Sequence, residues 1–220
     1  MPEHHLMGCE AIRKFAELSL PIIYLIDTPG ADAGEEANSN NQAHTISQMI
    51  AESTNVDVPT VGIIVGVGYS GGAIPLAATN ILLSVRDGIF NTIQPHGLQS
   101  IARKFNLSWQ ECAKGVGVSP EELCQTGCLD GIINYSPMDT DERQHNLQKA
   151  IISGIEAIEI ASVDFVAKTP DMLEHYKASL TRYLKPSTYQ TALENNSNMT
   201  LAQHPTMLPN IFGLGYRHMR

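Results

Sequence analysis

The chain has 220 residues, 43% hydrophobic and 17% charged, and carries a net charge of −9. This length buries one good core, and the composition is ordinary for a globular protein. An acidic balance without any lysine or arginine run argues against a nucleic-acid or anionic-lipid surface, and no apolar run is long enough to span a bilayer.

The N-terminus, MPEHHLMGCE, lacks the charged-then-apolar form of a secretory signal, so a cytoplasmic protein is expected. In CEAIRKFAELSL, Ile12, Phe15 and Leu18 fall at helical spacing and predict an amphipathic opening helix, broken by Pro21. PIIYLID follows, a β-branched run of the kind buried on both faces, and it ends in the Gly/Pro/Asn-rich loop DTPGADAGEEANSNNQ. A second helix over roughly 42–54 leads to another buried strand, TVGIIVG. The run GYSGGAIPLAA then predicts a helix starting near Gly71, with Pro75 in its first turn or just past it, where a missing N–H costs little. Residues 81–94 predict two short strands around Asp87-Gly88, followed by helical segments and a last strand, GIINYS. Ser119-Pro120-Glu121-Glu122 has the form of a helix start. The pattern is helical over 141–184, interrupted near Thr169-Pro170, and polar and loosely held over 185–220. The expected organisation is therefore a core of 1–140, a helical segment of 141–184 and a tail of 185–220. The alternation of strand and helix predicts an α/β fold with function on the loops at strand C-termini.

Cys9, Cys112, Cys124 and Cys128 show no C-x-x-C pair. Cys124 and Cys128 sit one helical turn apart, but packed reduced thiols are favoured over a metal pair, and no metal site is expected.

Gly68-Tyr69-Ser70-Gly71-Gly72 fits the G-x-S-x-G pattern of a serine hydrolase, in the strand–turn–helix context such an elbow needs. His96, His145 and Asp130 are available as partners for Ser70, as comparable residues would be in most chains of this size. Two other readings compete. Gly71-Gly72 at a helix start lets the backbone approach a ligand, and the first N–H groups of a helix have no internal acceptors, which suits an oxyanion. Otherwise the glycines serve only a tight, closely packed turn. The Gly30-Ala31 amides, also after a buried strand, supply a second set of donors.

Four blocks, PIIYLIDTPGADAG, VPTVGIIVGVGYSGGA, IQPHGLQSI and GCLDGII, occur in the order and spacing of the carboxyltransferase α subunit of bacterial acetyl-CoA carboxylase, and the chain resembles that family over about residues 2–136. The resemblance implies a crotonase-like ββα superhelix, apparently lacking the N-terminal part of the stack, with C-terminal helices. It implies an oligomer with a carboxyltransferase β-type subunit and a biotin carboxyl carrier protein, carboxybiotin arriving on that separate protein and a short acyl-CoA as substrate. It carries an oxyanion-holding role onto Gly71 and Gly72 and, as a second half, Gly30 and Ala31. Gly68, Tyr69, Ser70, Pro95, His96 and Gly97 become substrate-binding positions, with Ser70 a turn residue rather than a nucleophile. Departures stand at Val67, where the family has glutamate in G-E-G, at His96, where it has P-E-G, and in the loop after Gly34, which lacks the family's arginine. These keep three alternatives open: a non-catalytic homologue acting as an assembly partner, an acyl-CoA decarboxylase, and a serine hydrolase.

Overall fold

The computed structural model of the chain describes residues 2–137 and 143–168. The expected helical stretch beyond Thr169-Pro170 and the tail over 185–220 lie outside the described residues. The first half runs α1 (Pro2–Glu17), β1 (Ile22–Thr28), α2 (Glu35–Ser39), α3 (Gln42–Asn55), β2 (Thr60–Tyr69) and α4 (Ser70–Ala77). The second half runs β3 (Ile81–Val85), β4 (Ile89–Asn91), α5 (Pro95–Ile101), a 3-10 turn at Arg103–Phe105, α6 (Trp109–Val116), α7 (Pro120–Gln125), β5 (Gly131–Ile133) and α8 (Gln144–Lys168).

Every strand pairing is parallel, in the order β1-β2-β3-β5, with β4 also on β2. Parallel pairing needs crossovers, and the helices supply them. The strand β2 is the spine. Its first half pairs with β1 and β3, from Val61↔Ile81 to Ile64↔Ser84, and its second half with β4, from Val67↔Ile89 to Tyr69↔Asn91. The two strands around Asp87-Gly88 are thus not a hairpin; they lie along successive halves of one neighbour.

The two sheet faces explain why β2 reads as a continuous apolar run. Ile64 packs with Ile22, Tyr24, Ile26 and Leu82 under α1, α3 and α4, which contribute Cys9, Ile12, Met49, Ala73 and Ala77. Val61 and Ile63 pack with Val85 and Ile133 under Ile151, Ile155 and Ile158 of α8. Val61, Ile63 and Ile64 are fully buried, each adding about 1.5–3 kcal/mol by its removal from water.

Three expectations need correction. The strand PIIYLID is not buried on both faces: it ends the strand order, and Leu25 is 58% exposed. In α1 the buried face is Pro2, His5, Cys9 and Ile12, whereas Phe15 is 42% exposed and Leu18 lies past the helix end. Pro75 does lie just past the first turn of α4, as expected, but the expectation that its missing N–H costs little fails. Its missing N–H falls on a carbonyl that would otherwise be bonded. The loop DTPGADAGEEANSNNQ also contains a helical turn, α2. The helix start expected at Ser119 is present, and the structure closes it with a capping box: the Ser119 Oγ accepts the Glu122 N–H while the Glu122 carboxylate accepts the Ser119 N–H. All four cysteines are free, and no metal-holding group of side chains occurs among the described residues. No described helix is long and apolar enough to cross a membrane.

Candidate active site

The site is built where β1 and β2 run out side by side. Between Ile26 and Thr28 the pairing partner on β2 jumps from Ile64 to Gly68. The Asp27 carboxylate fills the irregularity by accepting the Val67 N–H at 3.0 Å. A side chain at Gly66 would overlap that carboxylate, which accounts for one glycine of the G-V-G run. Gly68 is equally structural, since a Cβ there would stand 2.8 Å from Phe90 and 3.2 Å from Ile26. Both strand ends are thereby held at one level.

After Thr28 the chain turns through Pro29 to Gly30, whose φ of +128° only glycine adopts at ease. The Gly30 N–H donates to the Thr28 hydroxyl at 3.3 Å. Ala31 follows, half-buried, and its N–H has no acceptor among the described residues. After Tyr69, β2 passes into α4 through Ser70, whose φ of +55° is the left-handed region. For a non-glycine residue this conformation is strained, and such strain concentrates at functional turns. The N–H groups ahead of the first intrahelical bond have no helical acceptors, and with Tyr69 as the cap these include Ser70, Gly71 and Gly72.

These two turns touch. A Cβ at Gly72 would stand 2.7 Å from the Gly30 carbonyl carbon, 3.0 Å from the Ala31 nitrogen and 2.9 Å from the Thr28 hydroxyl. A Cβ at Gly71 would stand 2.8 Å from the end of Ile46 and 3.5 Å from the Ala31 Cβ. Gly72 thus lies directly on the Gly30–Ala31 peptide. The third block joins them, because the Gln94 side-chain amide donates to the Pro29 carbonyl at 2.6 Å. Gln94 caps α5, so Pro95, which is buried, and Gly97 follow immediately. His96 is exposed, with its ring stacked on Trp109 at a centroid distance of 5.0 Å.

Of the residues singled out in the sequence, Gly30, Ala31, Ser70, Gly71 and Gly72 meet in one place. Tyr69 is buried beneath them, and burial pushes its phenol above the ordinary value, so it stays protonated. The Ser70 hydroxyl makes no hydrogen bond among the described residues, and Asp130 is committed elsewhere, accepting the Leu82 N–H at 2.8 Å. Sequence reasoning passed over Gln94 and Thr28, which fasten the first turn, and over His5 and Gln42. His5, in α1, is buried, and its Nδ1 lies 3.3 Å from the Gln42 side-chain amide. Burial is the main influence on its pKa and lowers it from the ordinary value.

Comparison with known proteins matches the chain to a family. The family model for acetyl co-enzyme A carboxylase carboxyltransferase-like proteins matches residues 5–182. The acetyl-coenzyme A carboxylase carboxyl transferase subunit alpha of Campylobacter curvus is 28% identical over 177 residues, 78% of this chain and 57% of that one. The beta/alpha protein of Salinispora arenicola is 29% identical over 157 residues, covering 71% of this chain and 27% of its own. The chain therefore spans less than two thirds of the length of these curated relatives. Among solved structures, transcarboxylase 12S aligns over 69% of this chain and 28% of its own, with a TM-score of 0.58 and 14% identity. A Pseudomonas malonate decarboxylase hetero-tetramer in complex with coenzyme A aligns over 68% of this chain and 64% of its own, with a TM-score of 0.59 and 13% identity. The shared architecture is crotonase-like α/β, and the chain belongs to the acetyl co-enzyme A carboxylase carboxyltransferase-like family.

Proposed function

We propose that the chain is the α-type part of a carboxyltransferase, moving a carboxyl group between carboxybiotin and a short acyl-CoA, acetyl-CoA to malonyl-CoA in the simplest case. The observation that carries this reading is the seating of Gly72 on the Gly30–Ala31 peptide. It brings the turns at two strand ends into contact, backbone against backbone, with Ile46 beside Gly71. Carboxyl transfer to an acyl-CoA passes through an enolate whose negative oxygen needs fixed donors, and main-chain N–H groups at a helix start supply them. Here the donors are the Gly71 and Gly72 N–H groups on one side and the Ala31 N–H on the other. The Gly30 N–H is already engaged by Thr28, so Gly30 contributes its backbone conformation. Carboxybiotin, delivered on a separate carrier protein, supplies the carboxyl group. Loss of the carboxyl group leaves the ureido group with the electron pair of the broken N–C bond, so it takes the acyl-CoA α-proton, and half-buried main-chain donors suit its oxygen as well as the thioester's. No side-chain base or nucleophile is needed from this chain, in agreement with a Ser70 hydroxyl that has no histidine or acid bonded to it among the described residues.

The relatives carry the names of carboxyl transferase subunits, and one of them is a fused beta/alpha protein, which supports a β-type subunit as partner. The test combines the full chain with a β-type subunit, biotin carboxyl carrier protein in its carboxylated form, and acetyl-CoA, and follows malonyl-CoA. Product formation that requires both subunits is the expected result. Absence of transfer to any short acyl-CoA overturns the reading in favour of an assembly partner, and biotin-independent loss of CO2 from malonyl-CoA replaces it with a decarboxylase.

A further inference from the structure

Three neighbouring strand ends close into a ring around the proposed site. The end of β1 leads into the Gly30–Ala31 turn, which lies against Gly72 beyond the end of β2. The end of β2 in turn lies beside β4, with Tyr69 paired to Asn91. From Asn91 the chain makes a short turn, in which the Ile93 N–H donates to the Asn91 carboxamide oxygen at 3.3 Å, and arrives at Gln94. The Gln94 carboxamide reaches back to the first turn and donates to the Pro29 carbonyl at 2.6 Å. A carbonyl only accepts, so the Nε2 end of the amide makes this contact. The base from which it reaches is fixed. The Gln94 carbonyl accepts the Leu98 N–H at 2.9 Å as the cap of α5, and Pro95 behind it is buried.

The bond acts on a single peptide plane. The Pro29 carbonyl and the Gly30 N–H belong to one planar trans unit and point in opposite directions. Gln94 holds the carbonyl end, and the Thr28 hydroxyl accepts from the N–H end at 3.3 Å. The next plane carries the Ala31 N–H, and the hinge between the two planes is Gly30, at φ +128°. Glycine has the widest rotational freedom of any residue, so without a hold on the first plane the Ala31 N–H would sweep a range of directions. Contact with Gly72 limits the second plane on one side only. The Thr28 bond is longer than the usual N–H···O range of about 2.7–3.2 Å, so the shorter Gln94 bond is the firmer hold.

We propose that Gln94 is a positioning residue, which clamps the Pro29–Gly30 peptide together with Thr28 and thereby aims the Ala31 N–H at the oxyanion. Its effect on rate rests on the carboxyltransferase reading, whereas the clamp itself does not. Gln94 is exposed, so replacing it leaves the core intact. In the complex with the β-type subunit, Gln94→Glu keeps the shape of the side chain but turns the donor into an acceptor that repels the Pro29 carbonyl. It lowers kcat about threefold to tenfold, the scale of one hydrogen bond and less than the loss of a whole oxyanion donor. KM for acyl-CoA stays within about threefold, the pattern of an interaction realised at the transition state. Gln94→Lys, which keeps a donor of sufficient reach, retains most of the rate. Unchanged kcat in Gln94→Glu, a change confined to KM, or an equal loss in Gln94→Lys overturns the proposal. Should the unmodified complex show no turnover, the functional reading fails by itself and nitrogen-15 relaxation of the full chain decides the clamp. Backbone order parameters at Gly30 and Ala31 are then expected near ~0.85 in the unmodified chain and to fall toward ~0.6 in Gln94→Glu. Equal values in the two chains overturn the assignment.

Discussion

A methyl group at position 72 would meet the Gly30–Ala31 backbone at 2.7 to 3.0 Å, which cannot swing away, and the Thr28 hydroxyl at 2.9 Å. At position 71 the obstacle is the flexible end of Ile46. Adjacent glycines are therefore unequal. Gly72→Ala is expected to separate the two turns and lower kcat about a hundredfold to a thousandfold, the scale of a lost oxyanion donor, whereas Gly71→Ala costs far less. Steady-state kinetics on the two variants, with circular dichroism to verify folding, make the comparison. Ser70→Ala is expected to change kcat little and a serine-reactive fluorophosphonate to leave the chain unlabelled; abolished activity and labelling would restore the hydrolase. The G-x-S-x-G pattern could not make this distinction, because the same spelling serves a nucleophile and a bare amide turn. Neither could it show that Ala31, rather than Gly30, keeps a free N–H, since that depends on the Thr28 hydroxyl folding back over the turn.

Elements were legible where local signals were complete. Helix α7 is the clearest case, with serine, proline and glutamate in capping positions, and α6 carries the same reciprocal box at Ser108 and Glu111. Hydrogen bonds from the Ser119 and Val118 backbone and the Ser119 hydroxyl hold the Glu122 carboxyl below its ordinary value. Its folded pKa is thus below its unfolded one, so the stability it contributes is complete above the unfolded value, near ~4.3, and is lost as pH falls through the folded value. Glu122→Gln should flatten that part of the acid-unfolding curve, and Ser119→Ala should cost about 1 kcal/mol, read by urea titration at neutral pH. An acid limb unaltered by Glu122→Gln would contradict the capping role. The strand β1 was misread for a physical reason. Composition reports how apolar a segment is, while its position at the end of a sheet depends on which strands pair, a property of topology alone.

At the scale of the molecule, the described residues form two cores around one parallel sheet, and the strand ends of that sheet deliver the site. Ile64, fully buried at the centre of β2, and Leu25, largely exposed on β1, are both branched aliphatic residues in apolar strands. Ile64→Ala should cost about 2–5 kcal/mol by transfer and cavity formation. Leu25→Lys should stay within about 0.5 kcal/mol in the isolated chain. Comparable losses at the two positions in chemical denaturation would mean that β1 is covered. The order of four separate blocks along the chain was what made the family legible, since no one of them has comparable specificity. The measurement that bears most directly on the whole account is a crystal structure of the chain with its β-type subunit and an acyl-CoA. The account predicts the thioester oxygen at about 2.7–3.1 Å from amides of the Ala31 and Gly71–Gly72 turns. An acyl-CoA bound with its thioester away from both turns, or an oxygen held by side chains alone, would contradict it.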